Sequence, residues 1–598
     1  MEHQNVCELL RDLTDSFPTQ AAFRYAKDEQ WVSVTRRESY RVARITSRAL
    51  ISLGVQVGDR VAILGETSYE WMLADVGNVL CGGVTVGIYP SNLPEDCRYI
   101  LEHSDADLLF VDGSEQLDKI REVRGQLPRI RCIVTFEGES IPEEQILSFD
   151  DFLALAEEVT EETLQERWGQ LTPDSLATIV YTSGTTGVPK GVMITHDNLL
   201  FTTWSVSQRL SLAGKNYTTL LFLPLAHVYG RLVVWWCLRD GTEVAFCDNL
   251  ARLPEALREV RPHWVPCVPR VYEKIYDRIT ATADACGGIR KTLFYWAMAV
   301  GHQRSRLEQA GQPIPLGLRL KNAVAHRIAF KKIQDVFGGQ MVFGVSGAAP
   351  LNQTLAEFFH AAGVLILEGI GMTENSSFSN VNTKVDNRFG TVGLAGPGIE
   401  ISIASDGEVL FRGRNVMKGY FKNDEATAES IDADGWLHSG DIGEIDDGYL
   451  TITDRKKDLI VTAGGKNIAP QRIERILRTS PFVSHAVAYG DRRKFIVALI
   501  TLEHSAVESW AKDHGHDGET VETLSNHPDL RRRVEEEIQR LNEQLASFET
   551  VKRIHLIADD LSIENGELTP TMKVKRKVVF ERYGDALAAL YDNGPAPD

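Results

Sequence analysis

The sequence of 598 residues contains little that would place it outside the ordinary globular proteins. Its eight cysteines end at Cys286, and no two of them form a C-x-x-C arrangement, which argues against a zinc site or a disulfide framework. No apolar run approaches the roughly 20 residues that a membrane span needs. The first residues also lack the basic-then-apolar order of a signal peptide. We therefore expect a soluble, cytoplasmic chain with buried, reduced thiols, and peripheral membrane contact stays open.

Positive charge is also scarce. The chain has 64 lysines and arginines against 83 acidic residues, a formal net charge of -19. Nucleic acids select basic faces, so this balance argues against a nucleic-acid partner, although a local cluster of donors can still bind a nucleotide. Apolar residues make up 43% and charged residues 25%, as in soluble globular proteins. The length exceeds what one hydrophobic core supports, so we expect at least two domains.

The first third of the chain alternates between strand-like and helix-like segments, without internal repeats. Residues 60–65 and 83–88 predict buried strands, and residues 69–80 predict a helix between them. This alternation predicts an α/β fold in which helices cover mostly parallel sheets. The acidic stretch 137–170 predicts surface helices.

A change in pattern near residue 453 predicts a domain boundary. Residues 449–453 are strand-like, and residues 454–458 form a charged break. Beyond them an α+β unit contains a helix around residues 530–545, with apolar residues at three- and four-residue steps: Leu530, Val534, Ile538, Leu541 and Leu545. We predict a large N-terminal domain (1–453), a hinge (454–458) and a small mobile C-terminal domain (459–598).

The strongest local motif, residues 181–191, lies between two apolar strands. Its glycines allow backbone N–H groups to approach an anion, and its hydroxyl groups and a lysine suit nucleotide phosphates. The predicted phosphate ligands are Thr182, Ser183, Gly184, Thr185, Thr186, Gly187 and Lys190. The motif is not a Walker A loop, because Pro189 and Gly191 flank the lysine, and it contains no G-x-G-x-x-G fingerprint. On its own it could also be an ordinary hairpin turn.

This loop resembles the phosphate-binding signature of the adenylate-forming superfamily, which includes acyl-CoA synthetases, peptide-synthetase adenylation domains and beetle luciferases. Residues 344–350 and 368–374 resemble the next two elements of that family. The resemblance implies nucleotide contacts at Gly347, Ala348, Glu368, Gly369 and Gly371. It also implies that Thr373 meets the α-phosphate and that Glu374 helps to hold Mg²⁺. Ile370 departs from the pattern, because an aromatic residue normally stacks on adenine there.

The remaining family elements follow in order. Residues 434–443 and 454–458 resemble those that carry the ribose-binding carboxylate, here Asp441, a second ribose ligand, Arg455, and the pivot of the small domain, Lys457. Residues 464–470, with Gly465 and Lys466, resemble the loop that enters the site for the thioester step. Residues 568–576 resemble the segment that carries the catalytic lysine, Lys573; taken alone, this residue would be read as a solvated surface charge.

Within the superfamily, residues 434–458 and 567–576 resemble those of long-chain fatty acyl-CoA synthetases. Residues 223–231 match the substrate-side motif, and the resemblance places His227 beside the carboxylate, although an isolated histidine is more often a core group. Residues 233–238 could form one wall of an acyl tunnel or could simply pack in the hydrophobic core, and the sequence favours neither alternative.

The resemblance implies a reaction with two steps. A fatty acid and ATP with Mg²⁺ give acyl-AMP, and coenzyme A then takes the acyl group. The alternatives are a ligase that loads a carrier-protein thiol, a catalytically inactive nucleotide- or lipid-binding relative, and an oxygenase of the luciferase kind. The oligomeric state, monomer or homodimer, is left open.

Overall fold

The computed structural model describes residues 3–28, 30–182, 188–463, 466–569 and 572–592. The strands are numbered in chain order: β1 (Ala21–Lys27), β2 (Gln30–Thr35), β3 (Arg60–Leu64), β4 (Val84–Ile88), β5 (Leu108–Val111), β6 (Cys132–Thr135), β7 (Ile146–Ser148), β8 (Leu176–Thr182), β9 (Lys190–Thr195), β10 (Thr218–Leu221), β11 (Glu243–Phe246), β12 (Trp264–Cys267), β13 (Phe343–Ser346), β14 (Ile366–Ile370), β15 (Asn380–Val381), β16 (Leu394–Ala395), β17 (Glu400–Ile403), β18 (Glu408–Arg412), β19 (Gly419–Tyr420), β20 (Leu437–Asp446), β21 (Tyr449–Arg455), β22 (Ile460–Val461), β23 (Asn467–Ile468), β24 (Val483–Tyr489), β25 (Ile496–Leu502) and β26 (Val551–Ile557).

The α-helices are numbered in the same way: α1 (Val6–Ser16), α2 (Arg36–Ser52), α3 (Tyr69–Leu80), α4 (Pro94–His103), α5 (Gly113–Val123), α6 (Phe149–Ala154), α7 (Glu161–Trp168), α8 (His196–Leu210), α9 (Val228–Asp240), α10 (Leu253–Val260), α11 (Pro269–Ala285), α12 (Gly288–Gln309), α13 (Leu316–Ala325), α14 (Lys331–Val336), α15 (Gln353–Ala361), α16 (Asp424–Ser430), α17 (Pro470–Leu477), α18 (His504–His514), α19 (Val521–Ser525), α20 (Pro528–Asn542) and α21 (Arg576–Ala589).

Two large, mostly parallel sheets form the N-terminal domain. The strand orders are β19-β9-β8-β4-β3-β5-β6-β7 and β16-β15-β14-β13-β12-β10-β11-β1-β2. In the first sheet the strands from β8 to β7 pair in parallel, and β9 and β19 run antiparallel at one edge. Every residue of β4 is buried, as a parallel strand covered on both faces requires. The predicted α/β class is confirmed.

Helix α3 shows how the sequence forms this core. The side chain of Ser68 accepts a hydrogen bond from the N–H of Trp71 and so caps the first turn. Eleven of the twelve residues of α3 are buried, all except Glu70, because the mostly apolar helix packs within the main core cluster. The helix has the predicted bounds, and the strands predicted on either side of it, β3 and β4, are present as well.

A smaller antiparallel sheet, β17-β18-β20-β21, ends the N-terminal domain. The sequence predicted a break after Thr453, but β21 continues through Asp454 to Arg455. The reason is a cross-strand partner, since Arg455 lies opposite Asp441 of β20 and forms an ion pair with it. The charged segment therefore begins inside a strand, and the turn follows at Lys456.

The C-terminal domain has its own sheet, β24-β25-β26, and its own core. The predicted helix is present as α20, whose inner face buries Leu530, Val534, Ile538 and Leu541. It ends at Asn542 rather than Leu545, because the Asn542 side chain hydrogen-bonds the backbone of Val551 and turns the chain.

Surface and redox features agree with the composition. Helices α6 and α7 form within the acidic stretch, as predicted. Seven cysteines are buried, and Cys286 is exposed. No helix in the described part of the chain combines the length and the apolar character needed to cross a membrane.

Candidate active site

The predicted phosphate loop connects β8 and β9, which pair as an antiparallel hairpin with Thr182 opposite Lys190. This pairing places the first hydroxyl group of the motif and its lysine on the two sides of the loop. The central positions lie outside the described residues: Ser183, Gly184, Thr185, Thr186, Gly187. Their contacts with phosphate therefore remain a prediction.

Tyr420 connects the phosphate loop with the predicted magnesium ligand. The ammonium of Lys190 lies 4.9 Å from the centre of the Tyr420 ring. The Tyr420 hydroxyl donates a hydrogen bond of 2.9 Å to Oε1 of Glu374. Tyr420 belongs to β19, which pairs with β9, so the sheet itself sets this position. Our sequence reasoning missed this residue; the only signal was an aromatic pair, Tyr420 and Phe421, just before a helix.

Thr373 and Glu374 lie in a 3₁₀ turn directly after β14. Gly371 allows this turn to fold tightly, since a Cβ at this glycine would stand 1.9 Å from the carbonyl oxygen of Ser377. Gly369 is similarly close to Asn380, at 2.8 Å from its carbonyl oxygen. Only glycine satisfies these approaches, so the two glycines hold the turn that presents Thr373 and Glu374.

The predicted adenine side lies where β13 ends. The N–H of Gly347 donates to the carbonyl of Cys267 at 3.2 Å, and Ala348 adopts a left-handed conformation with φ of 67°. The ring of Tyr229 lies 3.3 Å from the position that a Gly347 Cβ would take. Tyr229 therefore limits the space beside Gly347, and a larger residue at position 347 would meet the ring.

Glu368, at the end of β14, accepts a hydrogen bond of 2.9 Å from the N–H of Leu351. Burial raises the pKa of its carboxyl to about 7, and Arg475 of α17 opposes this shift. Arg475 belongs to the C-terminal domain, so a cation of one domain faces an acid of the other. The sequence motifs did not predict this pair, because Arg475 lies outside every motif and far from Glu368 along the chain.

The two predicted ribose ligands are neighbours. Nε of Arg455 lies 2.8 Å from Oδ1 of Asp441, and the Asp441 side chain is 8% exposed. Burial raises the pKa of Asp441, while the cations of Arg455 and Lys573 act in the opposite direction. The two side chains therefore lie together and can offer an acceptor and a donor to one polar ligand, whereas their contact with the ribose stays a prediction.

Lys573 of the C-terminal domain reaches into the same site. Leu568 pairs with Val574 beside it, and the hydroxyl of Thr569 accepts a hydrogen bond from the Lys573 N–H. Desolvation and the cation of Arg455 lower the pKa of Lys573 to about 8, whereas Asp441 and Glu374 raise it. Lys573 is exposed to solvent, and these three charged groups are near enough to act on its ammonium.

His227 caps α9 and lies within reach of the Lys573 charge. Its Nδ1 accepts a hydrogen bond of 3.0 Å from the N–H of Tyr229. Desolvation, and then the nearby Lys573 cation, lower its pKa to about 3, so the ring is neutral at physiological pH. A neutral imidazole whose Nδ1 accepts carries its proton on Nε2, which is therefore a donor. This geometry supports the active-site interpretation of His227 over a core role.

The predicted pivot, Lys457, and the thioester-loop residue Lys466 form no ion pair with this cluster among the described residues. Lys457 is exposed in the turn after β21, next to Lys456, which pairs with Asp406 at 2.6 Å. The ammonium of Lys466 lies 5.7 Å from the centre of the Phe548 ring in its own domain. Lys466 forms no ion pair with the described residues of the N-terminal domain. Gly465 lies outside the described residues.

Residues 233–238, the predicted tunnel wall, are all buried in α9. Arg231 of the same helix forms a buried ion pair with Asp75 at 2.5 Å, and Nε1 of Trp236 donates to Asp240 at 2.8 Å. These contacts fix the orientation of α9 behind His227. Core packing accounts for the whole stripe, and its role as a tunnel wall stays a prediction.

Comparison with known proteins gives consistent matches along the chain. Residues 11–421 match the family of AMP-binding enzymes, and residues 457–594 match the AMP-binding enzyme C-terminal domain. The long-chain-fatty-acid–CoA ligase FadD15 of Mycobacterium tuberculosis is 36% identical over 99% of this chain and 98% of its own length. The human long-chain-fatty-acid–CoA ligase ACSBG1 is 32% identical over 98% of this chain and 85% of its own length.

Solved structures show the same fold. The adenylation domain of a carboxylate reductase from Mycobacterium chelonae aligns with a TM-score of 0.75 at 22% identity, covering 99% of this chain and 92% of that domain. The anthranilate CoA ligase AuaEII, solved with anthranoyl-AMP, aligns with a TM-score of 0.73 at 22% identity, covering 98% of both chains. With the family matches in both domains, this chain belongs to the AMP-binding enzyme family.

Proposed function

We propose that this protein is a long-chain fatty acid–CoA ligase of the AMP-forming type. It activates a fatty acid with ATP to acyl-AMP and pyrophosphate, and then transfers the acyl group to coenzyme A. The observation that carries the proposal is the position of Lys573. This residue belongs to the C-terminal domain, yet its charge interacts with Asp441, Glu374 and His227 of the N-terminal domain. The similarity to long-chain-fatty-acid–CoA ligases over nearly the whole chain supports the substrate class.

In the first step the fatty carboxylate attacks the α-phosphate and pyrophosphate leaves. The Lys573 ammonium would bridge the carboxylate and the α-phosphate and so lower the energy of the negative charge that develops between them. The neutral His227 donates through Nε2 and orients an oxygen without adding charge. Thr373 offers a hydroxyl to the α-phosphate, and Asp441 with Arg455 would bind the ribose.

A magnesium ion fits the residues on the acidic side of the site. Glu374 would supply one carboxylate oxygen, and its hydrogen bond from Tyr420 fixes the carboxylate orientation. No cluster of three ligating side chains occurs among the residues that the structure describes, and Mg²⁺ bound through one carboxylate and substrate phosphates needs none. When bound, the ion neutralises part of the negative charge on the phosphates.

For the second step we propose that the C-terminal domain, residues 459–598, turns about Lys457. This rotation withdraws Lys573 and brings the loop with Lys466 to the site, where the coenzyme A thiolate displaces AMP. The present position of Lys466, whose ammonium lies over the Phe548 ring of its own domain, agrees with an orientation that serves the first step. One site then performs two reactions in turn.

The decisive experiment separates the two steps. Lys573→Ala is expected to abolish fatty acid-dependent ATP–pyrophosphate exchange and to spare thioester formation from supplied acyl-AMP. Loss of both steps would contradict the role of Lys573. Mass spectrometry of products from short to very long carboxylates, with and without coenzyme A, tests the substrate; acyl-AMP that persists with coenzyme A present would favour a carrier-protein acceptor.

A further inference from the structure

Helix α13 is apolar on two opposite sides. On its inner side Leu318 and Ala325 are buried, and the helix packs against α12. On its outer side Leu316, Leu320 and Val324 recur at four-residue steps and expose 73%, 64% and 51% of their surface. We call this outer row the α13 stripe. A helix at a protein surface normally has polar residues on its outer side, so the stripe needs a partner that the described residues do not provide.

Cations surround the α13 stripe. Residues 313–336 contain five lysines and arginines against one aspartate, although the whole chain has a net charge of -19. Lys331 pairs with that aspartate, Asp335, at 3.2 Å. Lys321, Arg327 and Lys332 are exposed and form no ion pair with the described residues. The segment is therefore positively charged, whereas the protein as a whole is negatively charged.

An apolar row bordered by lysine and arginine on one short helix is the pattern of helices that lie in the plane of a membrane surface. The cations meet the negative potential of anionic lipids, and the apolar side chains enter the boundary of the acyl chains. A symmetric dimer through the same face would bring two basic segments together and would place like charges opposite each other. The charge of the segment thus favours lipid over a second copy.

We propose that the α13 stripe docks this protein on membranes that contain anionic phospholipids. Leu316, Leu320 and Val324 enter the headgroup boundary, and Lys321 and Arg327 lie at the level of the phosphates. The inference goes beyond the proposed reaction and does not depend on the acyl acceptor. It would place the enzyme next to a lipid phase, where long-chain fatty acids partition.

Flotation of the purified full chain with vesicles tests this proposal. We expect the protein to float with vesicles of phosphatidylcholine and phosphatidylglycerol, less with phosphatidylcholine alone, and less at high salt. In the double variant Leu320→Asp, Val324→Asp, partitioning of the protein onto the vesicles should fall at least about tenfold. The single variants Lys321→Glu and Arg327→Glu should each reduce partitioning onto the vesicles about fivefold or more. Val385→Asp, at an exposed valine elsewhere (94%), is the matched control and should behave as the unmodified protein.

Melting temperature and ATP–pyrophosphate exchange, measured without vesicles, show whether each variant is folded and active, so this test is independent of the proposed reaction. If the stripe variants unfold, the exposed charge variants still decide the question. Absence of binding by the unmodified protein, or equal binding by the charge variants, would overturn the proposal. Light scattering adds one more outcome: a dimer that Leu320→Asp converts to monomer, without vesicle binding, would assign the face to a second copy.

Discussion

Arg478 and Glu273 form an ion pair across the boundary between the two domains, with 2.6 Å between Nη2 and Oε2. The same nitrogen lies 2.7 Å from Oε1, and nearby Arg270 donates to Ser484 Oγ at 3.3 Å. Glu273 and Arg270 belong to α11, whereas Arg478 follows α17 and Ser484 lies in β24. These contacts exist in the orientation that places Lys573 in the active site, so they stabilise that orientation over any in which the small domain has turned.

The first prediction concerns this interdomain pair. Arg478→Ala should slow adenylation by roughly threefold to tenfold, since a partly exposed pair contributes about 1 kcal/mol. Thioester formation from supplied acyl-AMP should be unchanged or faster, because that step requires the other orientation. Single-turnover measurements of each step provide the check. Arg492→Ala, at an arginine whose side chain is 92% exposed, is the control. Equal slowing of both steps would show that the pair does not select an orientation.

The second prediction concerns pH. The pKa of Lys573 is lowered to about 8, and the bridging role requires its ammonium form. The kcat/KM for adenylation, which reports the free enzyme, should therefore fall as the pH rises above about 8. Lys573→Arg keeps its charge at every accessible pH, so whatever activity it retains should lack this decline. If the variant shows the same decline, another group causes it.

The third prediction concerns a buried acid at the hinge. Asp454 is 2% exposed, and its Oδ2 has no hydrogen-bond partner in the described structure. Burial raises its pKa from 3.8 to about 7, Glu474 and Asp458 act in the same direction, and Arg576 opposes them. The folded state thus binds a proton more tightly than the unfolded state, and stability falls as the pH rises from about 4 to 7.

Asp454→Asn removes this ionisation. At pH 8 the variant should be more stable than the unmodified protein by roughly 2–4 kcal/mol, and near pH 4 the two should differ little. Melting temperatures across this range give the test. A difference that does not change with pH would mean that the carboxyl of Asp454 stays ionised or neutral throughout.

The fourth prediction concerns Gly371. An alanine Cβ would stand 1.9 Å from the Ser377 carbonyl oxygen, so the turn that carries Thr373 and Glu374 must shift. We expect Gly371→Ala to lose at least about tenfold in ATP-dependent adenylation, because an overpacked backbone is displaced rather than compressed. Gly584→Ala, in α21, meets no atom within 4 Å and should keep full activity. Normal exchange activity in Gly371→Ala would show that the turn tolerates the shift.

Much of the fold could be predicted where the signal was local. The bounds of α3 follow from its apolar run and from the cap at Ser68, both of which lie in the segment itself. The predicted end of β21, at Thr453, was wrong by two residues, because the residue that extends the pairing, Asp441, comes from another strand. The end of α20 depended in the same way on a contact with Val551. Tyr420 was missed because its role depends on Lys190 and Glu374, which are distant in the chain.

Residue type and order along the chain were enough to assign the superfamily and the long-chain branch, and the family matches confirm both assignments. Chemistry of this kind needs glycines, hydroxyl groups, carboxylates and a lysine at fixed local spacings, and such spacings are visible in a sequence. Tertiary structure alone decided that Lys573 lies beside Asp441 and Glu374, that His227 is neutral, and that Arg478 meets Glu273. Desolvation and charge depend on which groups face each other across a domain boundary, and no local pattern contains that information.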